Sequence, residues 1–180
     1  MIDGHSQGPE HWDERLTGLA APDQPWQVQV DVYLEDDSDP ADPKFHIECP
    51  LPWTDVGGEK YLRFENRCRP GFEILFHLHD LTGKGYTFPK REDEAVWSKI
   101  GNDCPDEAWG KNEVFNPQRV VQPDQLTLVV RNDNDKKENG DPIGHFRYTL
   151  NVTLGGRKPY LHLDPGGDDQ NGAKTFTAVK

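Results

Sequence analysis

A chain of 180 residues with 20 Lys and Arg against 32 Asp and Glu carries a formal net charge of −12, a field that repels phosphate backbones and anionic membrane surfaces and argues against nucleic acid or membrane as a partner. Its length fits one domain, able to bury roughly two-thirds of the surface its unfolded form exposes. The three cysteines, Cys49, Cys68 and Cys104, form no Cys-x-x-Cys pair, the amino terminus lacks a basic start followed by an apolar stretch, and no later run approaches membrane-spanning length; reduced thiols in a soluble, cytoplasmic protein are the expectation.

Residues 1–25 are polar and carry Pro9, Pro22 and Pro25; they read as a flexible arm with room for one short helix over 10–19. The folded unit, a single domain over 26–180, is expected to begin at Trp26. Val28, Val30, Val32 and Leu34 alternate with Gln27, Gln29, Asp31 and Tyr33, the period of a strand with one buried face. An acidic loop over 36–43 follows. Phe45, Ile47 and Cys49 then alternate, Pro50 and Pro52 break the run, and Leu62 with Phe64 mark a third strand after Gly57-Gly58. The strongest pattern is the next: Phe72, Ile74, Phe76 and Leu78 point one way and Glu73, Leu75, His77 and His79 the other, and Thr82-Gly83-Lys84-Gly85 closes the strand in a turn.

Residues 89–118 read as a charged insertion between strands. Acidic residues near 91 and Lys99 near 100 predict a short helix over 91–100. Val114-Phe115 and Val120-Val121 lead back to the sheet. Leu126 to Val130 and His145 to Thr153 flank an Asn-Gly-bearing connection and read as paired strands, followed by a turn-rich segment over 164–180. The Asn151-Val152-Thr153 sequon is read as strand sequence. The fold expected is all-β: an antiparallel β-sandwich with a short helix in the insertion.

The run from Gly71 through Leu81-Thr82-Gly83-Lys84-Gly85-Tyr86-Thr87-Phe88-Pro89, then Leu126 to Asn134, Phe146 to Val152, and Asp164-Pro165 to Asn171-Gly172, resembles the small bacterial β-sandwich proteins of the DP-EP family over roughly residues 26–172. The resemblance implies an immunoglobulin-like sandwich and carries no catalytic residues with it. The insertion and the N-terminal arm depart from the shorter members.

His77 and His79 are the sharpest chemical candidates, because residues two apart on a strand share a face and two imidazoles so placed can bind one divalent metal. Gly71 stands at the cupin-like distance, Gly-x5-His-x-His. The Glu that motif requires is replaced by Gly83-Lys84, and His145 follows Gly144 at once instead of at the expected spacing. A third ligand, such as His46, His145 or Asp80, would have to converge with them. The plain alternative is a pair of histidines on a solvated face. Acidic loops, namely Asp36, Asp37, Asp39 and Asp42, or Asp133 and Asp135, or Asp164, Asp168 and Asp169, suit calcium, and equally suit turns whose side chains bond the local backbone. Among the five tryptophans, Trp97 and Trp109 lie in a polar segment and are candidates for recognition of a sugar or a partner, set against simple tethering of the insertion. The three serines stand in no nucleophile elbow, the cysteines have no marked partner base, and no phosphate-binding glycine loop is present.

These readings converge on a non-catalytic binding module with no cofactor, engaging another protein or its own copies through an exposed edge strand or the 89–118 insertion. The alternatives are a metal-dependent enzyme centred on His77 and His79, and a carbohydrate-binding sandwich using exposed tryptophans.

Overall fold

The computed structural model describes residues 25–49, 53–56, 59–64, 71–107, 114–133 and 143–169. The N-terminal arm with Trp12, the Asn139-Gly140 turn, Cys68, Trp109 and the segment beyond 169 lie outside the described residues. The strands in chain order are β1 (Trp26–Asp36), β2 (Lys44–Glu48), β3 (Trp53–Val56), β4 (Glu59–Phe64), β5 (Phe72–Asp80), β6 (Tyr86–Thr87), β7 (Val96–Ile100), β8 (Asn116–Val120), β9 (Thr127–Asn132), β10 (Gly144–Leu154), β11 (Leu161–Leu163) and β12 (Gly166–Asp169); one helical turn, α1 (Glu92–Ala95), precedes β7.

Two sheets form an all-β, sandwich-like fold. The first has the order β2-β1-β5-β9-β8. In the second, β10 is central: Phe146 and Leu150 face Ile100 and Val96 of β7 on one side, and Gly167 of β12 and Leu163 of β11 on the other. β11 and β12 are one line of chain interrupted at Asp164-Pro165, beyond which β4 and β3 complete the sheet.

The alternating residues of β1 and β5 make the core as their pattern dictates. Val30, Val32, Leu34, Phe72, Ile74 and Phe76 are fully buried. Between the sheets Phe76, Phe115, Phe146 and Tyr148 cluster, with Tyr148 at ring-centroid distances of 5.7, 4.9 and 6.1 Å from the other three. Phe115 is held there because the Ser98 hydroxyl oxygen on β7 accepts the backbone N–H of Val114 and of Phe115, both at 2.9 Å.

Four features correct the expectations from sequence. The strands expected to pair around the Asn-Gly connection do not: β9 joins β5 and β8 in the first sheet while β10 centres the second, so the two lie in different layers. The sheets are not purely antiparallel, since β1 runs parallel to β5 and β12 parallel to β4. The helix predicted over 91–100 is confined to α1; Val96 and Ser98 face inward, Trp97 and Lys99 are half-buried, and the segment hydrogen-bonds to β10. Tertiary pairing of a β-branched, alternating segment overrides the helix-like charge order. Lastly, β3 is a strand that the flanking prolines concealed.

Gly71 sets the entry of β5 between its neighbours. Its φ is +95°, and a Cβ there would lie 2.4 Å from the Asn132 carbonyl oxygen and 2.7 Å from Asp133 Cα, so neither the backbone shape nor the space admits a side chain. At the other end of β5 the Asp80 carboxylate accepts the Thr82 N–H (2.9 Å) and hydroxyl (2.6 Å), the Gly85 N–H (2.7 Å) and the Tyr86 N–H (3.0 Å). Burial works against the charged form, but these bonds outweigh it and hold the Asp80 carboxyl below its ordinary value.

Asp80→Ala is expected to cost about 2 kcal/mol, since charge-assisted hydrogen bonds contribute most when they close a turn. Because the folded carboxyl titrates below the unfolded one, this contribution is complete above the unfolded value and disappears as pH falls through the folded value; the wild type and the variant should therefore converge in chemical denaturation at acid pH. The Tyr148 hydroxyl is buried with no hydrogen-bond partner among the described residues, and burial, with the nearby Cys49, pushes it well above the ordinary tyrosine value. Tyr148→Phe removes a desolvated polar group and is expected to raise stability by about 1 kcal/mol, read as a higher denaturation midpoint with an unchanged slope.

Candidate functional site

The outward residues of the first sheet gather into one row of rings across three strands. β1 and β5 pair Tyr33 with His79 and Asp31 with His77, and β1 and β2 pair Tyr33 with His46. The Tyr33 ring consequently lies between two imidazoles: 4.4 Å from His79 at 9° between planes, and 4.6 Å from His46 at 8°. These spacings are close to the roughly 4.8 Å between neighbouring strands, as expected when side chains directly opposite one another stack. His77 closes one end of the row, edge-on to His79 at 4.8 Å. The other end is His46, whose side chain is 44% exposed, on the outermost strand.

Carboxylates frame the row. Asp31 Oδ1 bonds His79 Nε2 at 2.8 Å and accepts from Gln29 Nε2 at 2.9 Å. Desolvation raises the Asp31 carboxyl, but the bonds from His79 and Gln29 and the charges of His79 and His77 prevail and hold it below its ordinary value. Glu35 bonds His46 Nδ1 at 2.8 Å, with Glu48 3.7 Å from Nε2. Desolvation by the flanking rings, with the charges of Glu48 and Asp31, raises the Tyr33 phenol and keeps it protonated. The face is therefore an acidic, hydrogen-bonded ladder of aromatic edges.

His77 and His79 share a face as their spacing predicts. One nitrogen of each is engaged, His79 with Asp31 and His77 Nδ1 with the Thr127 hydroxyl at 2.9 Å. Of the expected third ligands, His46 is separated from His79 by Tyr33, Asp80 is occupied by its turn, and His145 belongs to the second sheet. Among the described residues no three His, Cys, Asp or Glu side chains are grouped to hold an ion.

Trp97 is half-buried on β7. Its indole N–H donates to the Asp93 carbonyl at 3.0 Å and its ring leans on His162 at 5.7 Å, which ties the insertion to the second sheet. The acidic loop is bonded as turns: Asp36 accepts from the Ser38 N–H (3.0 Å) and hydroxyl (2.7 Å), Asp39 from the Ala41 N–H (3.0 Å), Asp42 pairs with Lys44, and Asp37 takes the Lys84 ammonium and the Tyr86 hydroxyl, each at 2.7 Å. Asp164 accepts the Thr149 hydroxyl at 2.5 Å and Asp133 pairs with Arg131.

Beside this loop lies a cleft of about 360 Å³ lined by Phe45, Cys104, His162, Asp42, Asp106 and Asp164 among others. His162 Nδ1 meets the buried Asn151 Oδ1 at 2.6 Å, and Asn151 donates to the Glu94 carbonyl at 2.8 Å. Sequence reasoning found no base for Cys104, and the fold brings His162 to the same cleft. Among the described residues three carboxylates, Asp42, Asp106 and Asp164, line it beside Cys104 and His162.

No protein-family model matches the chain, and no curated protein is significantly similar to it. No helix among the described residues is long and apolar enough to cross a membrane.

Tyr33→Ala removes the middle ring and exposes both imidazoles to water. Cross-strand aromatic pairs are worth roughly 0.5–1.5 kcal/mol each, so a loss of about 1–2 kcal/mol is expected by thermal denaturation, and Tyr33→Phe should retain nearly all of it because the stack needs the ring and not the hydroxyl.

Proposed function

We propose that this chain is a non-catalytic interaction module that associates with its own copies through β2, the outer strand of the five-stranded sheet. The observation that carries this reading is the asymmetry of the two edges of that sheet. At the β8 edge, Pro117 lacks a donor and the register with β9 shifts between Pro117 and Arg119, the devices that blunt an edge against pairing. At the β2 edge, five residues run without proline, with β1 on one side and no strand on the other among the described residues.

Along β2, Lys44, His46 and Glu48 are exposed on the outer face, while Phe45 and Ile47 are half-buried against the core. A strand added here would find outward backbone donors and acceptors that no described strand takes up, an apolar inner row and the outer end of the ring ladder together. Membership of the DP-EP family belongs to the same proposal and rests on the strand and turn patterns over 71–89, 126–134, 146–152 and 164–172.

Sedimentation equilibrium tests the reading. The mass should move from 20.5 kDa toward twice that value between about 10 μM and 1 mM protein, the range in which a small edge-to-edge interface assembles. Because each chain is strongly acidic, association should strengthen when ionic strength rises from about 0.02 to 0.15 M. A single 20.5 kDa species at every concentration contradicts self-association.

A further inference from the structure

We infer that two copies join antiparallel along β2 about a two-fold axis through His46, and that the chemistry of the strand specifies this register. The inference rests on the self-association just proposed and adds to it the geometry of the pair. Read outward from His46, β2 is complementary to itself. An axis at that residue sets Lys44 opposite the partner's Glu48, Phe45 opposite the partner's Ile47, and His46 opposite the partner's His46, with the first two pairings repeated in reverse.

Competing registers are poorer. Side chains opposite one another in an antiparallel pair must share a face, which excludes any axis passing between two residues. Axes at Phe45 or Ile47 keep the facing, but they align three residues of β2 instead of five and leave Lys44 without Glu48. Pro43 and Pro50 bound the strand in the sequence and prevent a slipped register from recovering the lost pairs beyond it.

The side chains are placed to use this register. Lys44 and Glu48 are 59% and 66% exposed at opposite ends of the strand, on the face away from the core, where long side chains reach across to a neighbouring strand. The ring row already keeps the spacing of the strands, at 4.4 and 4.6 Å. One further strand therefore brings the partner's His46 to the next position of the row, and the two ladders join into a stack of six rings across a ten-stranded sheet. Phe45 and Ile47 meet beneath it and lengthen the apolar layer. Five paired residues bury less than the roughly 1,200 Å² of a standard interface, so the pair is weak and reversible, and charge decides its register.

Charge exchange at the two exposed ends tests the pairing without touching the core. Lys44→Glu and Glu48→Lys should each weaken dimerisation about ten-fold in sedimentation equilibrium, because each sets like charges opposite one another twice in a symmetric pair. The double variant restores the attraction with its sign reversed and should return to within about three-fold of wild type. An equimolar mixture of the two single variants should associate at least ten-fold more tightly than either alone, since every mismatch in the homodimers becomes a match in the mixed pair. If the wild type dimerises but the single variants do so equally well, or mixing gives no gain, the register is wrong while self-association stands. A wild type that stays monomeric removes both proposals.

Discussion

The fold depends on the parallel pairing of β1 with β5, in unbroken register from Trp26 opposite Phe72 to Leu34 opposite Asp80. Parallel strands adjacent in a sheet need a long crossover, and here the chain travels through β2, β3 and β4 before it returns. One register sends Val28, Val30, Val32 and Leu34 inward with Ile74, Phe76 and Leu78, and sets Asp31 beside His77 and Tyr33 beside His79 on the outside. A slip of β1 by one residue would put Asp31 and Tyr33 into the core and the valines into water. The burial that stabilises the sandwich therefore also builds the ring ladder, and the ladder cannot be displaced without undoing the core.

The two ends of β5 are where that register is secured. Gly71 allows the strand to start against the Asn132 carbonyl, where any side chain would collide, and Asp80 closes the strand by collecting four donors from the following turn. The second sheet is organised differently, around one long strand, β10, with partners along both sides. Buried polar side chains on β10 bond to the segments that cover it: the Thr149 hydroxyl is shared between Asp164 and the Pro105 carbonyl, Asn151 donates to the Glu94 carbonyl and Thr153 to that of Arg157. The insertion is thus clamped onto the second sheet, while among the described residues no strand pairs with the outer side of β2 in the first sheet.

Where one face of a strand is buried and the other wet, sequence was a good guide: β1 and β5 were legible residue by residue, and so was the common facing of His77 and His79. The segment Val96–Ile100 was not, because Glu92, Asp93 and Glu94 before it and Lys99 within it imitate the charge order of a helix, and only its partner β10 decides for a strand. The supposed pairing of β9 with β10 failed for a related reason: two β-rich runs around a turn signal look alike whether the chain folds back in one sheet or crosses to another. Of the ladder, His77 and His79 were legible as candidates, His46 as a possible third ligand beside them, and Asp31 and Tyr33 as residues alternating with a buried face, but their assembly needed the cross-strand register. The self-complementarity of Lys44 to Glu48 was written in the sequence all along. It acquired meaning once β2 proved to be an edge.

In the proposed dimer the self-matching β2 edge of one chain meets that of a second copy, weakly and in one orientation, while the β8 edge is blunted by Pro117 and its register shift. The most direct test is isotope-filtered nuclear Overhauser spectroscopy on an equal mixture of ¹³C-labelled and unlabelled protein, at a concentration where the dimer is half populated. Intermolecular contacts are expected between the Phe45 and Ile47 side chains and between the two His46 rings, with none from β8. Intermolecular contacts that map to β8 or to the 89–118 insertion, with β2 silent, would contradict it.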